Sequence, residues 1–341
     1  MISHQSKIYI AITVIFMAVI LLGLGIFNYL SSKTSQSSEN VDDNIEQGEV
    51  FRHALNGSVL ETQDQDFFAI SIMFDNAYDA RPQYGLNKAD IVYEALAEGN
   101  ITRLMGVFDS RQSINKIGPV RSARPYFMDW ANDYKGVYMH VGGSPKALNN
   151  IDSYNFHEVD QIGAGEIYFW RDSNLDAPHN VFTSSANWLR VGEINDVPDI
   201  NLEKNWNFIE ASSSPDGLLD FSIDFVLGYN VDWKYNDKLN TYLRWQGDDK
   251  FIYNTGEQAR AANVIVQVVG AKTIDDKLRR NMDTQVGGQV FVFNKFGQQE
   301  GTWEIRNGRT RFFDENKNAL ELVAGQTWVQ VVPSEEYLKF E

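Results

Sequence analysis

The stretch that decides the fold lies in the middle of the chain and reads GPVRSARP at residues 118–125 and VYMHVGGSP at residues 137–145. Pro125 suits the first turn of a helix and Gly136 suits the position after one, so the spacing predicts a helix from Pro125 to Tyr134. The apolar run that opens the second segment predicts a strand. Such alternation of helix and strand is typical of a mixed α/β domain.

Polar and flexible residues follow this predicted strand. His140 lies close to the strand end, and the glycine pair at 142–143 makes a tight turn. Ser144 can then cap a helix that opens at Pro145. A strand, a glycine turn and a helix start aim free backbone N–H groups and a positive dipole end at one point. With the arginines of the first segment close by in sequence, this arrangement predicts a site for an anion.

The amino-terminal segment predicts a membrane anchor. Residues 8–27 carry no charge, and at 1.5 Å per residue the run is about 30 Å long, enough to cross a bilayer. We predict an uncleaved anchor within residues 1–30 and a flexible polar tether at residues 31–50. Lys7 before the span and acidic residues after it predict a single-pass protein of the cell membrane with its body on the extracytoplasmic side. A cleaved signal peptide is the alternative, although no small-residue cleavage pattern follows Leu30.

Composition excludes several classes of function. Thirty basic and forty-six acidic residues give a formal net charge of −16. This charge argues against a nucleic-acid partner, because such binding needs clustered lysine and arginine. The 341 residues contain no cysteine, which excludes disulfides, thiolate catalysis and cysteine metal sites.

The remainder of the chain predicts two domains joined by a linker. Residues 51–210 combine predicted helices and strands, and residues 211–220 hold a Ser-Ser-Ser-Pro-Asp-Gly linker. Residues 221–341 contain many short apolar runs between Gly, Asn and Asp turns, which predict a β-rich domain. The predicted fold class is therefore α+β, preceded by one transmembrane helix.

A hairpin is predicted between residues 91 and 108. A two-residue turn at Gly99 and Asn100 would place Glu94 opposite Met105 and would put Glu94 and Arg103 on one face of the sheet. In that register the two charged side chains lie diagonally and form a partly buried ion pair.

Candidate site residues lie at the ends of apolar segments, where polar groups are often functional. As catalytic candidates we take His140, His179 and Asp172. As ligand-binding candidates we take Arg81, Arg103, Arg121, Arg124, Gly142, Gly143, Ser144, Arg171, Asn180, Asp75 and Glu94. No metal site is predicted, because His140, His179 and the acids are too widely separated in sequence to form a known metal motif. The pattern implies no particular cofactor.

Ordered motifs along the body resemble a known family. They are DN (75–76), ARPQ (80–83), ADIVYE (89–94), ITR (101–103), KIGPVRSARP (116–125), HVGGS (140–144), FWRD (169–172) and APHN (177–180). In that order they resemble the YerB-like bacterial lipoprotein family, from about residue 68 to residue 333. The resemblance implies an envelope protein of two domains and implies no activity. The chain departs from the family in lacking a cysteine for lipidation, so a transmembrane helix would supply the anchor, and Phe182 stands where the family tends to have tyrosine.

Three functions are compatible with this pattern. The first is an envelope-anchored binding module whose arginines hold an anionic small molecule or wall fragment. The second is an envelope hydrolase or transferase with His140 or His179 as general base and arginines that stabilise charge. The third is a structural scaffold, because buried arginine–carboxylate pairs often serve folding alone.

Overall fold

A computed structural model describes residues 50–62, 66–199, 206–210, 220–225 and 228–340. Residues 51–341 form a compact unit of their own. The predicted anchor at residues 8–27, nearly all of the tether and most of the linker at 211–220 lie outside the described residues. Within the residues that are described, every helix is too short or too polar to cross a bilayer.

The helices of the described part are short. The α-helices are α1 (Pro125–Asn132), α2 (Pro145–Asn150), α3 (Gln161–Ala164) and α4 (Ser185–Asn195). Short 3-10 helices span Tyr78–Ala80, Leu86–Lys88, Glu98–Asn100, Ile151–Ser153, Gly165–Ile167 and Glu335–Tyr337.

Strands form most of the described structure. They are β1 (Phe51–Arg52), β2 (Val59–Leu60), β3 (Ala69–Phe74), β4 (Ile91–Leu96), β5 (Thr102–Asp109), β6 (Val137–His140), β7 (His157–Asp160), β8 (Trp170–Arg171), β9 (Val181–Phe182), β10 (Asn207–Ile209), β11 (Phe221–Ile223), β12 (Val231–Asn236), β13 (Thr241–Gln246), β14 (Asp249–Lys250), β15 (Arg260–Ala261), β16 (Asn263–Val268), β17 (Ala271–Thr273), β18 (Arg280–Met282), β19 (Gly288–Asn294), β20 (Gly297–Arg306), β21 (Arg309–Phe313), β22 (Glu321–Val323), β23 (Thr327–Val332) and β24 (Leu338–Phe340). With few helices and many strands, the structure is of the predicted mixed α+β type.

One large sheet contains strands from both sides of the predicted linker. Its ten strands run in the order β21-β20-β19-β16-β23-β4-β5-β3-β6-β7. Strand β23 pairs in parallel with β4, so Val329 lies opposite Tyr93 and the two parts of the chain meet in the middle of the sheet. A smaller sheet runs β14-β13-β12-β11-β24, and β15 also pairs with β13.

The predicted helix and strand of the central stretch are both present. Helix α1 begins at Pro125 as predicted and ends at Asn132, two residues before the predicted end. Gly136 precedes β6 at a point where β3 passes close by, and a Cβ atom there would lie 1.8 Å from the Ala69 carbonyl oxygen. Only glycine therefore fits at this position.

The predicted hairpin is present, but its predicted register is wrong by one residue. Glu94 lies opposite Leu104, and Ala95 lies opposite Arg103. The connection is longer than a two-residue turn, because the Ala97 N–H donates to the Ile101 carbonyl across it. A slip of one residue sends side chains to the other face of a sheet. Glu94 and Arg103 consequently lie on opposite faces and do not form the predicted pair.

Glu94 is instead at the centre of a fully buried polar network. Its Oε2 lies 2.8 Å from Nη2 of Arg244, and both side chains have no exposed surface. The carboxylate also accepts hydrogen bonds from Thr102 at 2.8 Å and Gln330 at 3.1 Å. Arg244 donates to Gln246 at 3.0 Å. We call these five residues the buried network; it joins β4, β5 and β23 of the large sheet to β13 of the small one.

A second buried acid fixes α1 against the carboxy-terminal strands. Asp133 follows α1 directly and accepts a hydrogen bond from the Thr310 backbone N–H of β21 at 3.0 Å. Its burial raises the pKa of this carboxyl to about 7, from an ordinary value of 3.8. Hydrogen bonds from Thr310 and the charge of Arg309 lower the pKa but only partly offset burial.

We expect Glu94→Gln to destabilise the protein by about 3 kcal/mol, because Arg244 would keep a buried charge without its counter-ion. Urea denaturation of the variant and the wild type measures the difference. Glu210→Gln is the matched control, because Glu210 pairs with Arg52 while its side chain is 66% exposed; such exposed pairs contribute at most about 1 kcal/mol. Equal losses in the two variants would contradict a special role for the buried pair.

We also expect the free energy of unfolding to fall as pH rises from about 4 to about 7. Between these values the folded Asp133 keeps a proton that the unfolded chain has lost, so the folded state binds more protons and stability decreases with pH. Asp133→Asn removes the titrating group while it keeps an acceptor for Thr310. The loss of stability between pH 5 and pH 8 should therefore shrink by about 2 kcal/mol.

Denaturation curves at the two pH values test this expectation. Asp152→Asn, at an exposed position, is the control and should keep the wild-type pH dependence. An unchanged pH dependence in Asp133→Asn would show that other groups cause the effect.

Candidate functional site

Two parallel strands place polar side chains at one edge of the large sheet. Strands β3 and β6 are neighbours, with Ile72 opposite Met139. Asp75 follows β3 directly, and His140 is the last residue of β6. The ends of these two strands therefore lie next to each other.

The loop that carries Arg121 bridges the two strand ends. The Arg121 N–H donates to the Met73 carbonyl at 3.0 Å, and the Val141 N–H donates to the Arg121 carbonyl at 3.1 Å. Asp75 is fixed from the same loop, because its own N–H donates to the Pro119 carbonyl at 3.0 Å.

Three candidates that lie far apart in sequence meet at Asp75. His179 Nδ1 lies 2.8 Å from Asp75 Oδ2, and Arg121 Nε lies 3.1 Å from the same oxygen. The arginine contact is an ion pair without hydrogen-bond alignment, because Arg121 Nε has no hydrogen-bond partner among the described residues. The other oxygen, Oδ1, accepts from the Ala77 N–H at 3.0 Å. We call Asp75, Arg121 and His179 the Asp75 site.

The Asp75 site combines a buried acid with two partly exposed nitrogen-bearing side chains. The side chain of Asp75 is 5% exposed, whereas those of His179 and Arg121 are 19% and 26% exposed. An ionised carboxylate only accepts hydrogen bonds, so the histidine must donate from Nδ1. Its Nε2, like Nη1 and Nη2 of Arg121, has no partner among the described residues. All three nitrogens can therefore contact a ligand, and Nε2 of His179 can also exchange a proton.

The segment from residue 76 to residue 83 holds the backbone next to the Asp75 side chain. Gln83 donates to the Asp75 carbonyl at 2.9 Å, and Arg81 donates to the Asn76 carbonyl at 3.1 Å. Burial and the neighbouring charge of Arg244 both lower the pKa of Arg81. The guanidinium of Arg81 also lies 5.5 Å from the ring centre of Tyr229. Arg81 is thus largely enclosed, and its role is to hold the segment.

The loop that carries His179 is held by the remaining candidates. Asp172 forms an ion pair with Lys116 at 2.6 Å, and the hydrogen bond from Lys116 lowers the pKa of Asp172. Arg171 donates to Asn180 Oδ1 at 2.8 Å, and the Asp172 N–H donates to the Asn180 carbonyl at 2.9 Å. These contacts orient the loop, and Asp172 itself contacts neither histidine.

Two of the candidate arginines contact a different acid. Arg103 Nη2 lies 2.8 Å from Glu98, and Arg124 bonds the second oxygen of the same carboxylate. Burial opposes the ionisation of Glu98, but the two guanidinium groups outweigh it and lower its pKa to about 2. Arg103 also donates to the Ser122 carbonyl at 3.1 Å. The predicted arginine cluster is therefore divided, and only Arg121 reaches Asp75.

His140 lies in a separate group of contacts. Its ring is fully buried, with Nδ1 2.8 Å from the Gly142 carbonyl and Nε2 3.0 Å from Glu158 Oε1. The Gly142 N–H donates to Asp160 Oδ1 at 2.6 Å. The ligand atoms of His140, Glu158 and Asp160 lie within 4.8 Å of one another, so these residues could hold a metal ion. We call them the His140 cluster.

The glycine turn and Ser144 determine the backbone conformation between β6 and α2. Gly142 has a φ of +58°, a left-handed conformation that favours glycine, and Gly143 forms a bridge with Ala123. Ser144 caps α2 as predicted, because its Oγ accepts from the Ala147 N–H at 3.3 Å.

Three functional candidates were missed from the sequence. Glu158 and Asp160 gave a usable signal, since the alternation in HEVD at 157–160 puts both acids on one face of a strand. Arg244 gave a weaker one, as it shares the buried face of β13 with Tyr242 and Gln246.

Comparison with known proteins agrees with the ordered motifs. Residues 55–197 match the description "Protein of unknown function (DUF3048) N-terminal domain", and residues 221–329 match the corresponding C-terminal domain. The chain belongs to the DUF3048 family.

A relative of known structure matches most of the chain. The YerB protein of Bacillus subtilis (strain 168), which is named as a candidate lipoprotein, is 30% identical over 287 residues, covering 82% of this chain and 85% of the relative. The crystal structure of Bacillus subtilis YerB matches with a TM-score of 0.76 at 28% identity, over 85% of this chain and 99% of that one. The fold is thus shared across most of the chain.

Proposed function

We propose that this protein is an extracytoplasmic binding module whose Asp75 site holds the oxyanion of a small molecule or wall fragment. The observation that carries the proposal is the pair of donors fixed by one buried acid, Arg121 and His179 on Asp75 Oδ2. A carboxylate or a phosphate is the expected group, because arginine offers these oxyanions a planar fork of donors.

The charge balance of the site supports an anionic ligand. Asp75 contributes one negative charge but is only 5% exposed, and its oxygens already face His179, Arg121 and the Ala77 N–H. The accessible surface therefore belongs to the Arg121 guanidinium and the His179 ring, and Nε2 of that ring donates to an anion when both ring nitrogens carry a hydrogen. Because the donors are held before a ligand arrives, binding costs less conformational entropy than it would for free side chains.

We further propose that the body is anchored by residues 8–27. The supporting observations are the uncharged run and the lack of any cysteine among the 341 residues, whereas the Bacillus relative is named as a candidate lipoprotein. Protease treatment of whole cells is expected to remove the body and leave an amino-terminal stub in the membrane. Recovery of intact protein from the washed cytosolic fraction would contradict this location.

A second candidate function is catalysis with His179 as the general base. The specific observation is the 2.8 Å contact between its Nδ1 and Asp75, which leaves Nε2 as the nitrogen able to take a proton. His140 is a poorer base, since it is fully buried and both of its nitrogens have partners.

We expect Arg121→Ala and Arg121→Lys in the full chain to weaken the binding of inorganic phosphate by similar factors, about tenfold or more, because lysine cannot replace a two-pronged contact. Isothermal titration calorimetry measures the affinity. Wild-type affinity should also fall as salt concentration rises, since partly exposed charges are screened.

Arg190→Ala is the matched control, an exposed arginine on α4 whose loss should leave the affinity unchanged. Full binding by both Arg121 variants would contradict the proposed site. The second candidate gains support if His179→Gln keeps phosphate affinity but loses turnover of p-nitrophenyl acetate or p-nitrophenyl phosphate that the wild type supports.

A further inference from the structure

We propose that the His140 cluster binds a divalent transition-metal ion, with His140, Glu158 and Asp160 as its protein ligands. The proposal does not rest on the proposed function, because none of the three ligands belongs to the Asp75 site. It rests on sheet geometry, on the hydrogen bonding of the imidazole and on the accessibility of the two acids.

The sheet itself brings the three ligands together. Strands β6 and β7 are parallel neighbours in which His140 lies opposite Asp160 and Tyr138 lies opposite Glu158. Side chains two residues apart on a strand share a face, so both acids lie on the face of β7 that meets the histidine. Because β7 is the last strand of the large sheet, this group lies at an open edge.

The partners of the imidazole favour a cation at Nε2. Nδ1 lies 2.8 Å from the Gly142 carbonyl, which can only accept, so Nδ1 carries a hydrogen. Nε2 lies 3.0 Å from Glu158 Oε1, which is also an acceptor when ionised. The neutral ring would therefore aim a lone pair at a carboxylate. A second proton on the ring or a metal ion held by both atoms removes this conflict, and a backbone carbonyl on the other nitrogen is a usual partner of a metal-binding histidine.

The remaining ligands have the exposure that metal entry requires. The histidine is fully buried, and its ring centre lies 5.1 Å from that of Tyr138, so its orientation is fixed. The Glu158 and Asp160 side chains are 35% and 16% exposed. Asp160 is oriented through Oδ1 by the N–H groups of Gly142 and Ile162, at 2.6 and 3.0 Å, and Oδ2 has no partner among the described residues.

The ligand set defines the class of metal. One imidazole and two carboxylates suit zinc or manganese better than calcium, which prefers oxygen ligands alone. Three protein ligands also leave coordination positions for water or a substrate oxygen, as in catalytic rather than structural zinc sites. The two acids supply the charge that balances a divalent ion.

The test uses the full chain in detergent, with any affinity tag removed and bound metal stripped by EDTA followed by buffer exchange. Zinc binding is measured by calorimetry, and manganese binding by the loss of the free-ion EPR signal. We expect one ion per chain. Glu158→Gln, at an exposed position, and His140→Gln should each weaken binding by at least ~10-fold.

Glu193→Gln is the matched control, because it removes an exposed carboxylate on α4, away from the cluster's ligands. It should bind zinc and manganese as the wild type does. The proposal is overturned if the stripped wild type binds neither ion, or if Glu193→Gln and Glu158→Gln lose affinity equally, which would indicate general attraction to an acidic surface. Should His140→Gln fail to fold, Glu158→Gln alone decides the outcome.

Discussion

The fully buried ion pair between Glu94 and Arg244 is the constraint on which the rest of the structure depends. Taking two charges out of water is costly, and attraction between them repays the cost only when the geometry is good and further hydrogen bonds reach the same groups. Thr102, Gln330 and Gln246 supply most of those partners from three different strands. The two family-matched segments are therefore not energetically independent, because removal of the second would leave Glu94 charged in the core.

The buried network also determines the geometry of the Asp75 site. Asn76 follows Asp75 in the chain, and its Nδ2 donates to Thr102 at 2.7 Å and lies 3.3 Å from Glu94. The peptide that carries Asp75 is thus tied to the buried network. Gln83 adds a hydrogen bond to the Asp75 carbonyl from the other side. The backbone of Asp75 is therefore held from two directions, and Arg121 and His179 contact its side chain.

Much of this arrangement could be predicted from local sequence, and the failures have physical causes. Proline restricts the backbone to the conformation of a first helical turn, so Pro125 and Pro145 correctly predict where α1 and α2 begin. The strand-end rule does not pair Asp75 with His179, because His179 lies in the loop between β8 and β9, which form a separate two-stranded sheet. The hairpin register failed because a connection longer than two residues shifts every pairing by one. Arg103 and Arg124 pair with Glu98, which lies in the connection of the hairpin. No periodicity of the sequence indicates that pairing.

The loop from residue 117 to residue 124 connects the Asp75 site to the His140 cluster. Its backbone joins Met73 of β3 to Val141 after β6, and the Ala123 N–H donates to the Gly142 carbonyl at 2.9 Å. That same carbonyl lies 2.8 Å from His140 Nδ1. The chain that aims the Arg121 side chain at Asp75 therefore also holds the turn that orients the histidine of the other cluster. Movement of the loop toward a ligand at the Asp75 site or at the His140 cluster would alter hydrogen bonds at both. The geometry of each site therefore depends on the position of the same loop.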